Sequence, residues 1–283
     1  MDFADIGRLV IIAMFSDDVL FRQLVLKGGN ALNLVYLLGS RASADVDLSL
    51  EEDFPNLEEA RTRIFQALRD RFGEAGLIVF DESLVSRPAT PSPRGGERLG
   101  GYEVEFKLME FSKYESLKAD PERCRRQSIV VAPLQQRIFR IQISKYEYCS
   151  GKRDTELNDY TIRVYTPEML AIEKLRAICQ QMPEYLLRGH HAPRARDFYD
   201  IHSILTGIGV DLGAPVNLQL ARDIFGAKQV PLALISKIPQ HRALHKQDWP
   251  AVEVTVSGRL MEFDFYFDFV VEQAKPLESL GEV

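Results

Sequence analysis

Apolar and polar positions mix helical and strand periods in the first part of this chain and turn mostly helical from Pro167 onward. Residues 1–22 carry the 3.6-residue period of an amphipathic lead helix. Leu24-Val25-Leu26 is an unbroken apolar run, the pattern of a short buried strand, and Gly28-Gly29 then permits a sharp turn where no Cβ keeps a ligand away. From Asn30 to about Leu37 the spacing predicts a helix, with Ala31, Leu32, Leu34, Val35 and Leu38 as its apolar surface. Asp45-Val46-Asp47-Leu48-Ser49-Leu50 alternates strictly. Val46, Leu48 and Leu50 therefore face a core, while Asp45 and Asp47 share the other face, about 7 Å apart. A helix over 56–72, a strand at 77–80, a Pro- and Gly-rich loop over 86–101, and strands near 102–110 and 137–144 follow. Beyond Thr166, a helix cap, and Pro167, a first-turn residue, the period is mostly helical. One helix runs from Pro167 to about Gln181, and a second begins near Pro193 or Arg194 with Phe198, Ile201 and Leu205 as its core stripe. An aromatic helix around 260–273 packs Phe263, Phe265, Tyr266, Phe267 and Phe269 against the domain. The pattern predicts an α/β (α+β) fold, with an α/β domain over 1–155 and a mainly helical one over 156–283.

Two features turn this scaffold toward chemistry. The free N–H groups at the start of the helix after Gly28-Gly29 favour phosphate, and the Asp45/Asp47 pair can hold Mg²⁺ together with substrate phosphate oxygens. A Gly-Gly turn alone is usually a loop, and an Asp-x-Asp alone is usually a solvated strand face; their order and spacing together point to phosphoryl or nucleotidyl transfer. Lys174 falls mid-helix, where on a buried face its ammonium needs an anion such as a triphosphate; on a surface it pairs with Glu173 or Glu168 instead. Asp197 and Asp200 lie on a common side of the next helix, either as first-turn charge and a partner for Arg194 or Arg196, or as part of a site.

The run Lys27-Gly28-Gly29-x-Ala31-Leu32, then Arg41-x-Ser43-x-Asp45-x-Asp47-Leu48, resembles the AbiEii/AbiGii nucleotidyltransferase toxins, a branch of the DNA polymerase β-like superfamily. Thr166-Pro-Glu168 through Glu173-Lys174-Leu-Arg-Ala177 is similar to that family's lysine motif, and Arg194-Ala-Arg196-Asp197-Phe-Tyr-Asp200-Ile to its Asp-x-x-Asp motif. The resemblance implies a nucleotidyltransferase domain with a mixed sheet, a helical domain behind it, and the toxin of a type IV toxin–antitoxin pair whose separately encoded antitoxin need not bind it. It implies transfer of a nucleoside monophosphate from an NTP, with Mg²⁺, to an RNA (tRNA among the candidates) or protein hydroxyl. Asp45 and Asp47 would hold the metal. Lys27, Gly28, Gly29, Arg41 and Ser43 would contact phosphate, Lys174 the triphosphate, and Asp197 or Asp200 would position the acceptor or its general base. The chain departs from the pattern twice. The third carboxylate of the superfamily falls near Gln142, which can offer a metal its carbonyl oxygen but cannot act as a base, so Glu103 or Glu105 is the alternative source. An arginine two turns after the lysine is replaced by Gln181, for which Arg176 or Arg188 can substitute. A nucleotide-binding regulator without transfer activity and a kinase-like phosphotransferase remain open readings.

Composition sets outer bounds. The 283 residues are 46% hydrophobic, enough for a substantial core. They contain no run of about twenty apolar residues and no basic-then-apolar leader, which predicts a cytoplasmic protein with no membrane partner. Cys124, Cys149 and Cys179 and the five histidines show no metal-ligand spacing. The net charge of −6 argues against nonspecific coating of nucleic acid. A basic run (Arg123, Arg125, Arg126, Arg137, Arg140, Lys145, Lys152, Arg153) is either an RNA-facing surface or a set of ordinary solvated positions.

Overall fold

The computed structural model describes residues 3–38, 45–89, 99–131, 135–256 and 258–281. Its strands are β1 (Leu24–Lys27), β2 (Asp45–Leu50), β3 (Leu77–Arg87), β4 (Gly101–Glu110), β5 (Phe139–Ser144), β6 (Arg153–Leu157) and β7 (Tyr160–Val164). They form one sheet in the order β3-β4-β5-β2-β1-β7-β6. The β2/β5 and β1/β7 pairs are parallel and the other neighbours antiparallel. The sheet is therefore mixed and the class α/β, as the periodicity predicts. Helices α1 (Phe3–Ser16) and α4 (Leu57–Glu74) supply Val10, Met14, Ile64, Leu68 and Phe72 to the core beneath Val46, Leu48, Val104 and Ile141, all fully buried.

Several elements differ from expectation for local reasons. The lead helix breaks at Asp17, whose carboxylate accepts from the N–H groups of Val19 and Leu20 at 2.9 Å and so caps α2 (Asp18–Gln23). The helix after β1 starts at the glycines, as α3 (Gly28–Asn30), and widens into a π turn over Ala31–Val35, in which Tyr36 N donates to Ala31 O at 3.1 Å. The third strand extends well past Phe80: a register shift between Phe80 and Ser83, with Asp81 at φ 56°, breaks the alternation that would have revealed it. Arg87 and Gly101, expected in the loop, end β3 and begin β4. Left-handed Asn158 and Asp159 turn β6 into β7, so the sheet runs on to Val164 and residue 155 falls inside β6.

Two short helices, α5 (Phe111–Leu117) and α6 (Pro121–Gln127), follow β4. After β7 the chain is helical: α7 (Pro167–Cys179), α8 (Ala195–Ile208), α9 (Pro215–Ala227), a 3-10 segment (Leu232–His241), α10 (Arg242–Lys246), α11 (Trp249–Glu253) and α12 (Phe263–Glu278). Phe198 of α8 stacks on Phe267 of α12 with ring centroids 5.0 Å apart, and Phe263 meets it edge-on at 5.5 Å. The aromatic helix thus packs inward as expected, with Phe265 the exposed exception at 46%.

His245 lies in that packing, 5.4 Å from the Phe198 ring, fully buried and with neither ring nitrogen hydrogen-bonded. Burial lowers its pKa from 6.5 to about 4. A folded-state pKa below the unfolded one gives stability that is present above pH 6.5 and lost as pH falls toward 4, here about 2–3 kcal/mol. Urea unfolding at pH 7.5 and 4.5 should show a smaller acid loss in His245→Phe than in the parent; equal losses would refute the assignment.

Candidate active site

The cleft forms where β1 ends and β2 begins. Gly28 turns the chain at φ +70°, and a Cβ there would lie 2.8 Å from both Cβ and Cγ of Asp47. Glycine is required on both counts. Asn30, 3% exposed, donates from Nδ2 to the Asp45 carbonyl at 2.6 Å and pins the start of β2 against the turn. Alternation then puts Asp45 and Asp47 on the cleft face while Val46 and Leu48 are fully buried behind them. Burial raises Asp47 to about 6, against the opposing pull of Lys27 and Lys174. Burial also raises Asp45, with Arg140 opposing and Glu103 adding to the shift. Carboxylates that are costly to ionise gain most from an added cation.

Register extends this acidic wall across the sheet. Lys27, Asp47, Gln142 and Glu103 form one row across β1, β2, β5 and β4. Gln142 Nε2 donates to Asp45 Oδ2 at 3.4 Å. The two alternative carboxylates separate clearly. Glu105 is held by Arg140 at 2.8 Å outside the cleft, whereas Glu103 lines the cleft and takes Arg87 at 2.7 and 3.0 Å through Oε1. Among the described residues, no three His, Cys, Asp or Glu side chains converge as a metal-binding set.

The helical wall is built from α7 and the start of α8. Lys174, 6% exposed, donates to Asp197 at 3.0 Å and to Asp200 at 2.7 Å. These two carboxylates accept its hydrogen bonds, and its charge also acts on Glu173 and Asp47. Two residues along, Arg176 meets Glu147 at 3.1 Å and Glu173 at 3.2 Å; Lys27 meets the same pair at 3.3 and 3.2 Å, and Lys228 reaches Glu147 at 3.4 Å. Burial opposes it, yet Arg176, Lys27 and Lys228 hold Glu147 down to about 2. These walls enclose a cleft of about 570 Å³.

A family model described as nucleotidyl transferase AbiEii toxin, type IV toxin–antitoxin system, matches residues 10–268. The chain belongs to this family. No curated protein matches it. Among solved structures it is similar to a candidate nucleotidyltransferase from H. pylori, at 17% identity and TM-score 0.47, covering 99% of this chain and 95% of that one. It is also similar to an antigenic nucleotidyltransferase-like protein from Paracoccidioides brasiliensis, at 15% identity and TM-score 0.42, covering 86% and 93%.

In this AbiEii family member the cleft brings together Lys27, Gly28, Gly29, Asp45, Asp47, Gln142, Lys174 and Asp197. Asp200 sits behind them on Lys174 and lines a small crevice with Gly29 and Tyr199. Arg41 and Ser43 lie outside the described residues. Of the proposed arginine substitutes, Arg176 is buried in ion pairs while Arg188 lines the cleft; Gln181 instead accepts from Ala192 N at 2.9 Å. Within the basic run, Arg125 holds Asp81, Lys145 holds Asp53, and Arg153 lies 4.9 Å over the Tyr36 ring. Glu147, Lys228 and Asn30 escaped sequence reading, because no local period or spacing marks residues that act only through distant partners. No helix is long and apolar enough to cross a membrane among the described residues.

Gly28→Ala tests the turn. A side chain at positive φ costs about 1–2 kcal/mol, and displacement of Asp47 should remove most nucleotide-dependent activity. Thermal melts and transfer assays read the two effects; an active, equally stable variant would contradict the packing described.

Proposed function

We propose that this protein transfers a nucleoside monophosphate from an NTP to a hydroxyl of an RNA, tRNA included, or of a protein, releasing pyrophosphate. The observation that carries this reading is the half-buried pair Asp45 and Asp47, lining with Lys174 a cleft that the Gly28-Gly29 turn borders. The pair fits a hard divalent cation: its donors are oxygens, burial penalises both charges, and the missing Cβ of Gly28 leaves room for an Asp47 oxygen. Asp45 and Asp47 would hold Mg²⁺, which supplies charge neutralisation for the phosphates and a more acidic acceptor hydroxyl. Gly28 and Gly29 would let a phosphate approach the backbone. Asp200 and Asp197 hold Lys174, and Asp197, which lines the cleft, or Asp200 would position the acceptor hydroxyl or its general base. The acceptor oxygen bonds the α-phosphorus as the bridge to the β-phosphate breaks, and the leaving pyrophosphate takes the electron pair.

Membership of a type IV toxin–antitoxin family implies an antitoxin partner, and we read it as counteracting the enzyme without necessarily binding it. Neutral Gln142 beside Asp47 favours one competing reading, a nucleotide-binding regulator. Incubation with each NTP, labelled at the α- or γ-phosphate, separates the cases. Transfer predicts pyrophosphate and α-label on a macromolecule. Nucleoside diphosphate would indicate a phosphotransferase, and binding without either product a regulator.

A further inference from the structure

A recess of about 340 Å³ opens at the end of β4 remote from the cleft, with Glu110, Lys113, Arg126 and Arg137 in its lining. Tyr102, Val104, Phe106 and Leu108 of β4 belong to the main core, so Glu103, Glu105, Lys107 and Met109 lie on the opposite face. That is the cleft face, because Glu103 lines the cleft. Met109 is buried on it by α5 and α6, where it packs with Leu117 and Cys124. The recess and the cleft therefore share one face of the sheet, and strand rise sets Glu103 and Met109 roughly 20 Å apart. The charge of the recess is one-sided. Lys113 donates from Nζ to Gln127 O at 3.0 Å, and Arg137 donates from Nη1 to Ser128 O. These bonds satisfy the end of α6 and leave most of the N–H donors on both side chains uncommitted. Nearby acids are taken elsewhere: Glu115 pairs with Lys118 and Glu122 with Arg125, while Asp120 caps α6 at Arg123 N. Glu110 is the carboxylate of the lining, and among the described residues no ion pair joins it to Lys113, Arg126 or Arg137. On a chain of net charge −6 this is a local cationic site.

Resting on the nucleotidyl-transfer reading, we propose that this recess holds a backbone phosphate of the acceptor, and that the acceptor is accordingly RNA and not protein. Arg126 and Arg137 would meet the phosphate oxygens as planar forks and Lys113 as a point charge. An acceptor with its hydroxyl beside Asp45 and Asp47 and a phosphate here must carry repeated negative charge over roughly 20 Å, about six stacked nucleotides at about 3.4 Å each. A protein chain offers no such series. Between the two sites Arg140 is held by Glu105 and Lys107 by Asp81, so the recess supplies the uncommitted cations.

The test is equilibrium binding of three probes to the full chain: a single-stranded RNA of about twenty nucleotides, long enough to span both sites, a dinucleotide, and each NTP. A Lys113→Gln, Arg126→Gln double variant, changed only at exposed positions, should bind the long RNA about tenfold more weakly and lower its slope of log affinity against log salt by about 1. Dinucleotide and NTP affinities should not move. Arg126→Gln alone should act in the same direction, and Lys113→Arg with Arg126→Lys should retain most of the affinity. In transfer assays the double Gln variant should raise the KM for RNA and leave kcat unchanged. Unchanged RNA affinity and salt slope would overturn the proposal, as would an equal loss of NTP binding, or α-label that moves to protein while RNA is not bound. A parent that transfers label to neither RNA nor protein would overturn the transfer reading as well, which distinguishes the two failures.

Discussion

An Asp47→Asn protein is expected to lose transfer by about 10²–10³-fold or more and, at pH 7.5, to resist urea better than its parent. The two effects share one cause. Asp47 is raised from 3.8 to about 6 by burial, so its folded pKa lies above its unfolded one. Stability from this group is fully present below pH 3.8 and is lost as pH rises through about 6, which leaves the ionised carboxylate as a burden at neutral pH. Asparagine removes the charge, and after allowance for partial solvent contact and the lost attraction of Lys27 the gain is about 1–2 kcal/mol. Paired urea titrations at pH 7.5 and 4.5 should show the variant's advantage shrinking in acid. An Asp47→Asn protein with full activity would remove the metal assignment, and one with no gain at pH 7.5 would remove the electrostatic account.

Replacing Lys174 with Met should produce the largest loss of stability, about 3–5 kcal/mol, because it takes from the buried Asp197 and Asp200 the ammonium they share. The charge, and not the packing, is the cause, so a Lys174→Met protein that also carries Asp197→Asn and Asp200→Asn should recover much of the loss while remaining inactive. Thermal and urea unfolding of the single and triple variants read this directly. If the single variant is as stable as the parent, the trio contributes little to the fold and the ammonium is available to substrate after all.

The elements that could be read in advance are those whose signal is local. Strict alternation exposed Asp45 and Asp47, the glycine pair marked the turn, and Thr166-Pro167 and the Phe198-Ile201-Leu205 stripe located α7 and α8. What stayed hidden depends on partners far away in the chain. Lys27 and Glu147 are 120 residues apart, and the Lys174 pairs span 23 and 26 residues; neither leaves a period. The far half of β3 was hidden by the irregularity at Asp81, which shifts the register so that a two-residue period no longer runs through. Gln142 pairs with Asp47 in register, and only the strand order β4-β5-β2 shows that Glu103 lines the cleft and Glu105 does not.

The central claim is that this cleft moves a nucleoside monophosphate. It is tested most directly by incubating the protein and its Asp47→Asn variant with α-labelled NTPs and total cellular RNA and protein, and counting label that becomes macromolecular alongside pyrophosphate released. Label on one class of acceptor, matched by pyrophosphate and absent with Asp47→Asn, is the predicted result. Label that appears equally with the variant, or NTP that binds and is never cleaved, would contradict the account.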